Sequence, residues 1–392
     1  MAKKSFELDY ATINAGLVII LIVVLAAGLY VSTSIGKPPK AAEELNVTAQ
    51  KTANVQLTLL TASNCAQCFD ITQVTSALGQ MGVNITEQKS VDGLSDEGKA
   101  LTGKYNISKL PAAVITGEID ALKDMPLRQV EGAIVFDQVP APYVDVATGK
   151  IKGLVMIISL EDPGCKQCNN ASLLVEQLKS SGMVFEDEKA LMIDSDEAKR
   201  LIAAYEITKV PTIILSEDAL DYDFIAQVWD QAGTKEDDGR LVLRLVPPPY
   251  HDLSSNKVAG LVALTFLADK SCTECYDVNM HEEILKGNFR MQFSGKKTVD
   301  IADDAGKTLV SKYNITKVPT VLMSAEASVY PGISQVWSQV GTVESDGVYV
   351  FRSIDLLQDA AYKDLATGTV VKPLTEVEAT EPTEAAPTNS TV

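Results

Sequence analysis

Histidine is almost missing: the 392-residue chain holds two, His251 and His281, too few for a histidine-built metal centre. Basic residues are in deficit, with 34 Lys+Arg against 52 Asp+Glu and a formal charge of −18. That balance excludes a surface built to neutralise phosphates, so nucleic acid is not an expected partner. Cysteine is scarce as well. Six in a chain this long cannot staple a disulfide-rich miniprotein, so their positions carry more information than their number. Charge of either sign is absent between Asp9 and Lys37, and Ala15–Val31 is almost wholly apolar. This is close to the ~20 residues that cross a bilayer as a helix. A cleaved signal would need a shorter apolar core, about 7–15 residues, and a small-x-small site that Ser32-Thr-Ser34 matches poorly. Residues 11–36 are therefore read as an uncleaved single-pass transmembrane anchor behind a short head, residues 1–10. Lys3 and Lys4 balance Lys37 and Lys40, so flanking charge does not orient it. The bulk of the chain follows the anchor, which favours an extracytoplasmic location at the cell membrane.

What is present is a repeat. The cysteines form three pairs, Cys65-Ala-Gln-Cys68, Cys165-Lys-Gln-Cys168 and Cys272-Thr-Glu-Cys275, whose first members lie 100 and 107 positions apart. Downstream of each pair comes a second element: Tyr105-Asn-Ile-Ser-Lys-Leu110-Pro111, Tyr205-Glu-Ile-Thr-Lys-Val210-Pro211 and Tyr313-Asn-Ile-Thr-Lys-Val318-Pro319. Its proline falls 46, 46 and 47 positions after the first cysteine. Trp229 and Trp337 follow 18 positions after the second and third prolines, each leading into Gly-Thr and Asp-Gly; the first repeat is expected to lack this hairpin. A closing element contains Tyr143, Tyr250 and Tyr362.

Every repeat opens on a β-rich run, Val55–Leu60, Leu154–Leu160 and Leu261–Leu267, read as buried strand. Asn64, Gly164 and Ser271 immediately precede the first cysteines and are good N-cap types, which predicts that each pair begins a helix. The order is then strand, CxxC, helix, strand, helix, proline, strand. The domain reading is 37–54 linker, 55–152, 153–259 and 260–372 as three repeats, and 373–392 as a disordered acidic tail rich in Thr, Glu, Pro and Ala.

A CxxC that opens a helix, followed some forty residues later by a proline before a sheet strand, resembles the thioredoxin-like family. The resemblance implies an α/β fold of three tandem thioredoxin-like domains, each a central mixed sheet flanked by helices. It also implies that Pro111, Pro211 and Pro319 are cis. The family's usual dipeptides between the cysteines, and the tryptophan before them, are absent.

The chemistry can be argued from the residues alone. The thiolate is the reactive species, and a helix N-terminus would stabilise it at the first cysteine. A second thiol three positions on lies within bonding reach and can resolve a mixed disulfide. Cys65, Cys165 and Cys272 are thus the candidate attacking sulfurs, with Cys68, Cys168 and Cys275 resolving. A cis X-Pro bond would leave the backbone of Leu110, Val210 and Val318 free to pair with an extended substrate beside Pro111, Pro211 and Pro319. Lys166 should favour the second thiolate and Glu274 disfavour the third, making the second couple the most oxidising and the third the most reducing.

The function expected is a membrane-anchored thiol–disulfide oxidoreductase whose partners are protein thiols and disulfides, with a redox partner protein and no metal or other cofactor. Two other classes stay open: a redox-inert binding, scaffold or chaperone-type protein with structural disulfides, and a cytosol-facing sensor if the anchor inserts the other way. Zinc is a poor alternative, because no two pairs have zinc-ribbon spacing, and His281 reads as an ordinary helix residue. Trp229 and Trp337 read most simply as core residues. Asn46, Asn84, Asn106, Asn170, Asn314 and Asn389 fit N-x-S/T, but Asn106 and Asn314 stand where a helix ends and a left-handed cap would explain them.

Overall fold

The computed structural model describes residues 53–122, 127–357 and 360–372. The head at 1–10, the anchor at 11–36, nearly all of the linker and the tail at 373–392 lie outside the described residues. Among the described residues no helix is long and apolar enough to cross a membrane.

Three strands of eight residues open the three repeats: Asn54–Thr61, Leu154–Glu161 and Leu261–Ala268. Their burial alternates and then closes on two consecutive buried positions, as expected of a strand covered on both faces at its C-terminal end. Val55, Leu57, Leu59 and Leu60 show the pattern, and Val262, Leu264, Phe266 and Leu267 repeat it. Fully burying each such side chain is worth about 1.5–3 kcal/mol.

Each opening strand pairs in parallel with a nine-residue edge strand: Asn84–Asp92, Val184–Met192 or Gln292–Asp300. A parallel pair needs a crossover, which the helices Gln73–Gln80, Ala171–Ser180 and Met280–Phe289 supply. On its other side the opening strand pairs antiparallel with the strand after the proline: Ala112–Gly117, Thr212–Leu215 or Thr320–Met323. A hairpin then completes a five-stranded mixed sheet in every repeat. These three mixed sheets with flanking helices resemble tandem thioredoxin-like domains, each without a strand before the cysteine-bearing one among the described residues.

The first repeat does have its hairpin, Arg128–Val130 with Ala133–Phe136, contrary to the expectation from sequence. Gly117 and Arg128 are 11 positions apart, against 18 between Leu215 and Gly233 and 18 between Met323 and Gly341. The shorter connection has no room for the tryptophan-bearing helical stretch that made the other two hairpins legible. Trp229 and Trp337 are buried core residues, each donating its indole N–H to a hairpin carbonyl, Thr234 O at 3.2 Å and Thr342 O at 3.0 Å.

The chain divides into two compact units, one ending at Lys257 and the other beginning at Val258. The first unit holds repeats one and two, which are not separate bodies. Val139, Ala141 and Tyr143 of repeat one belong to the same core as Val155, Ile157, Tyr222 and Trp229 of repeat two. The Tyr143 hydroxyl donates to Asp221 Oδ1 at 2.8 Å across that junction.

Candidate functional site: disulfide turns beside cis-prolines

All six cysteines are joined within their own pairs, Cys65–Cys68, Cys165–Cys168 and Cys272–Cys275, with Cα atoms 5.4, 5.4 and 5.5 Å apart. The turn carrying each pair is set by the strand before it. The amide of the first cysteine donates to the carbonyl three residues back: Cys65 to Ala62 at 3.0 Å, Cys165 to Asp162 at 3.1 Å and Cys272 to Asp269 at 3.0 Å.

The pairs do not begin helices. The helices start at Gln73, Ala171 and Met280, six to eight positions past the first cysteine. Asn64, Gly164 and Ser271 are not their caps. The residue that accepts an amide at the helix entrance stands five positions after each first cysteine: Asp70 from Thr72 at 3.0 Å, Asn170 from Ser172 at 2.8 Å and Asp277 from Asn279 at 2.9 Å. An Asx side chain that captures the amide two residues on delays the helix to that point. The helix-end stabilisation expected for Cys65, Cys165 and Cys272 is therefore lost, since it fades beyond the first turn.

Cys65 is buried and packs in a core that includes Leu110, whereas Cys68 is half-exposed. Cys165, Cys168, Cys272 and Cys275 are all intermediate. In repeat one the second cysteine, not the first, is thus the more exposed residue.

Leu110-Pro111, Val210-Pro211 and Val318-Pro319 are all cis, as the resemblance implied. The backbone before them is not free, however. Leu110 pairs antiparallel with Val144, Val210 with His251 and Val318 with Lys363, in a small sheet formed with the closing strands Tyr143–Asp145, Tyr250–Asp252 and Tyr362–Asp364. The side chains of Leu110, Val210 and Val318 are completely buried, and the three prolines are buried too. The edge expected to receive a substrate peptide is occupied by the chain's own closing strand. That segment is also tied to the disulfide turn. Asn169, just after Cys168, donates its amide to Pro249 O at 2.9 Å and its side chain to Pro247 and Pro248 carbonyls at 2.8 and 2.9 Å. Tyr276, just after Cys275, donates its amide to Ala361 O at 2.8 Å. A further cis bond precedes the closing tyrosine in repeats one and two, at Ala141-Pro142 and Pro248-Pro249.

Where the closing strand crosses the turn, the three repeats differ in charge. The residue three before the first cysteine faces the residue after the closing tyrosine. In repeat three Asp269 Oδ2 lies 2.5 Å from Lys363 Nζ. Burial alone would push Asp269 up, but Lys363 and the Ser271 hydroxyl and amide outweigh it and hold the carboxyl below its usual range. In repeat two Asp162 Oδ2 lies 2.7 Å from His251 Nδ1, with both side chains 13% exposed. The same two positions in repeat one are Ala62 and Val144, which carry no charge. Glu274 has its own counter-ion in Lys372, 3.0 Å away and exposed, so its expected pull on the third couple is offset in part.

Repeat three carries a second polar group beside its pair. The Tyr276 hydroxyl donates to the cis-proline carbonyl, Pro319 O, at 2.8 Å and lies 2.9 Å from His281 Nε2. His281 lies on the helix Met280–Phe289, as read from sequence, and is 5% exposed, in an edge-on contact with Phe351 at 4.7 Å between centroids. Burial lowers its pKa to about 4.

A guanidinium that sequence reading missed holds the start of each proline loop. Arg244 donates to the Tyr205 carbonyl at 2.7 Å and Arg352 to the Tyr313 carbonyl at 2.7 Å, each also bonding a glutamate, Glu236 or Glu344, at 2.9 Å. Arg128 does the same for Tyr105 and Asn106 at 3.1 and 3.0 Å, from the other hairpin strand. Asn106, Glu206 and Asn314 are left-handed, with φ of 51°, 50° and 48°, so the two asparagines are the helix-ending caps expected of them. Among the described residues no group of three or more His, Cys, Asp or Glu could hold a metal ion.

No family model matches this chain, and no curated protein does. Among solved structures it is similar to the NTD_N/C domain of alkylhydroperoxide reductase AhpF from Enterococcus faecalis, at 14% identity over 42% of this chain and 82% of that one, TM-score 0.14. It is similar to the zinc-bound form of human ERp44 at 13% identity, over 69% of this chain and 80% of that one, TM-score 0.13. For ERdj5 form II the figures are 12%, 74%, 40% and 0.14, so the chain spans well under half of that protein. Overlaps this low carry no argument about activity.

Proposed function

We propose that the protein is a thiol–disulfide oxidoreductase that acts on protein thiols or disulfides through three CxxC couples, held by residues 11–36 at a membrane with the repeats on its extracytoplasmic side. The observation that carries the reading is the threefold recurrence of a disulfide turn, a cis-proline loop and the same sheet order around them. In the reducing direction, a thiolate of the dithiol attacks one sulfur of a substrate disulfide. A mixed disulfide forms, and the other substrate sulfur leaves as thiolate and takes up a proton. The second cysteine, losing its proton, then attacks the mixed disulfide and releases the first substrate sulfur. Two electrons pass to the substrate, and the couple returns as its disulfide. Oxidation of a substrate dithiol is the reverse.

Equilibrating the full chain against glutathione and reading each pair by alkylation mass shift tests this. At least one pair should titrate as a two-electron couple; six sulfurs that never change state would remove the enzyme reading. The anchor predicts that the chain stays with membranes through alkaline extraction and that deleting residues 1–36 releases it.

The occupied docking edge favours a second reading, a redox-inert binding protein with structural disulfides. Under it, the pairs would stay closed across glutathione ratios that would titrate a working couple.

A further inference from the structure

The pair Asp162–His251 stands over the turn that presents Cys165. Asp162 Oδ1 accepts the amide of Gly164, the residue before Cys165, at 2.8 Å. A Cβ at Gly164 would lie 3.1 Å from that same oxygen, so the carboxylate rests directly on the turn. Its other oxygen, Oδ2, faces His251 Nδ1 at 2.7 Å, off the line of a hydrogen bond, while Nε2 lies 3.1 Å from Asn256 Oδ1. A protonated ring sets a positive charge against Asp162. A neutral ring with its proton on Nε2, toward Asn256, sets a lone pair there instead. Imidazole is a side chain that can make this exchange by gaining or losing a single proton.

Repeat three has a lysine in the same place, Lys363 on Asp269, and repeat one has neither charge. One position beside the disulfide turn thus takes three forms: no charged pair, a carboxylate against an imidazole, and a carboxylate against an ammonium.

We propose that Asp162 and His251 are a protonation-dependent positioning pair for Cys165, so that the second couple's thiolate is opposed by a bare carboxylate when the imidazole is neutral and is relieved of it when the imidazole is charged. The other charges around the ring are few. Asp252 is on the same strand, with its carboxylate turned to the Ser254 and Ser255 amides, Lys209 is paired with Asp252 across the small sheet and lies over the Tyr250 ring, and Lys166 follows Cys165. The inference rests on the reading of the second pair as a working dithiol, but its test does not need turnover.

The test is the rate of Cys165 alkylation by iodoacetamide on the chemically reduced full chain, from pH 5.5 to 8. Trypsin cuts at Lys166, which puts Cys165 and Cys168 on different peptides for mass spectrometry. His251→Lys copies the third repeat's arrangement and should raise the Cys165 rate at pH 7.5 by about tenfold. The gain should shrink as the pH is lowered and the wild-type imidazole takes up its second proton. Asp162→Asn should give a similar rise at pH 7.5 by removing the carboxylate. Cys272 on the same molecules is the internal reference and should not change. Superimposable Cys165 profiles in wild type and both variants would overturn the proposal. So would equal changes at Cys272, which mark a general loosening. A chain that shows the profile shift but exchanges with no disulfide would sink the oxidoreductase reading and leave this inference standing.

Discussion

Lowering the pH from 7 to 4 should destabilise the unit that begins at Val258 by about 3 kcal/mol through one imidazole. His281 is enclosed by Tyr276 and Phe351, and its Nε2 meets a tyrosine hydroxyl that is itself committed to Pro319 O. Burial depresses its pKa to about 4, against 6.5 for an unhindered imidazole. The folded form therefore binds fewer protons than the unfolded one between those values. Stability from this group is complete above pH 6.5, falls as the unfolded chain begins to protonate, and is mostly lost by about pH 4. At about 1.4 kcal/mol for each unit of difference the whole interval is worth about 3.5 kcal/mol, of which ~3 has gone at pH 4, where the folded imidazole is half protonated. The two tryptophans fall one to each unit, Trp229 before Lys257 and Trp337 after it. A Trp229→Phe chain therefore reports the second unit alone by fluorescence. Urea melts of that chain at pH 7, 6, 5 and 4 should show the free energy falling, most of it between pH 6 and 4. His281→Gln keeps a neutral polar group toward Tyr276 and should hold its stability nearly level from pH 7 to 5. If the two proteins lose stability in parallel over that range, His281 is not the group responsible and the burial argument is wrong.

Arg352→Ala should cost the same unit about 2–3 kcal/mol in urea melts, because charge-assisted hydrogen bonds are worth about 1.5–3 kcal/mol and their acceptors at the helix end lose their partner. Lysine should rescue it only in part, since an ammonium cannot bridge the Tyr313 carbonyl and Glu344 in the guanidinium's planar geometry. Glu206→Asn should stabilise the unit that ends at Lys257 by about 0.5–1 kcal/mol, as the left-handed conformation held there is one that asparagine already serves at Asn106 and Asn314; a loss of stability in thermal melts would refute it. Reducing all three disulfides should lower stability by about 2 kcal/mol for each short loop while leaving the far-ultraviolet circular dichroism spectrum at 25 °C unchanged. A chain that unfolds on reduction would not survive an oxidoreductase cycle.

What the sequence disclosed and what it concealed divide along contact range. The opening strands were readable because a short run of apolar and β-branched side chains is a local property, as Leu154–Leu160 shows. The recurring proline element was readable because Tyr105, Ile107 and Leu110 form one buried cluster whose spacing recurs in the other repeats, but that its prolines are cis came only from the resemblance to the thioredoxin-like family. The helix start was readable in principle and was misplaced. Asn64, Gly164 and Ser271 are good cap types in isolation, but Asp70, Asn170 and Asp277 are also, and stand at one common offset from the cysteines, which the first set does as well. Only the observed amide contacts separate the two. The guanidinium clasp left a recurrent trace in two repeats only: Arg244 and Arg352 each stand 33 positions after their proline, just past one hairpin strand, whereas Arg128 reaches the equivalent carbonyls from the other strand.

The closing strand was concealed for a stronger reason, and it bears most on function. Its pairing with Leu110, Val210 and Val318 spans 34 to 45 positions and uses backbone groups, which no side-chain pattern announces. A free edge beside a cis-proline would offer any extended peptide a place to pair. Here that edge is already satisfied, so under the proposed function a protein substrate would have to displace the closing strand or reach the sulfurs without it. The first route is opposed most in repeats two and three, where Asn169, Tyr276, Asp162–His251 and Asp269–Lys363 tie the segment down. The second is open wherever a sulfur is partly exposed, as Cys68, Cys165 and Cys272 are. Exchange by direct approach needs only a flexible substrate thiol or disulfide, not a docked strand. Selectivity would then come from the charges around each turn rather than from peptide pairing, and those charges are what differ most among three otherwise matching repeats.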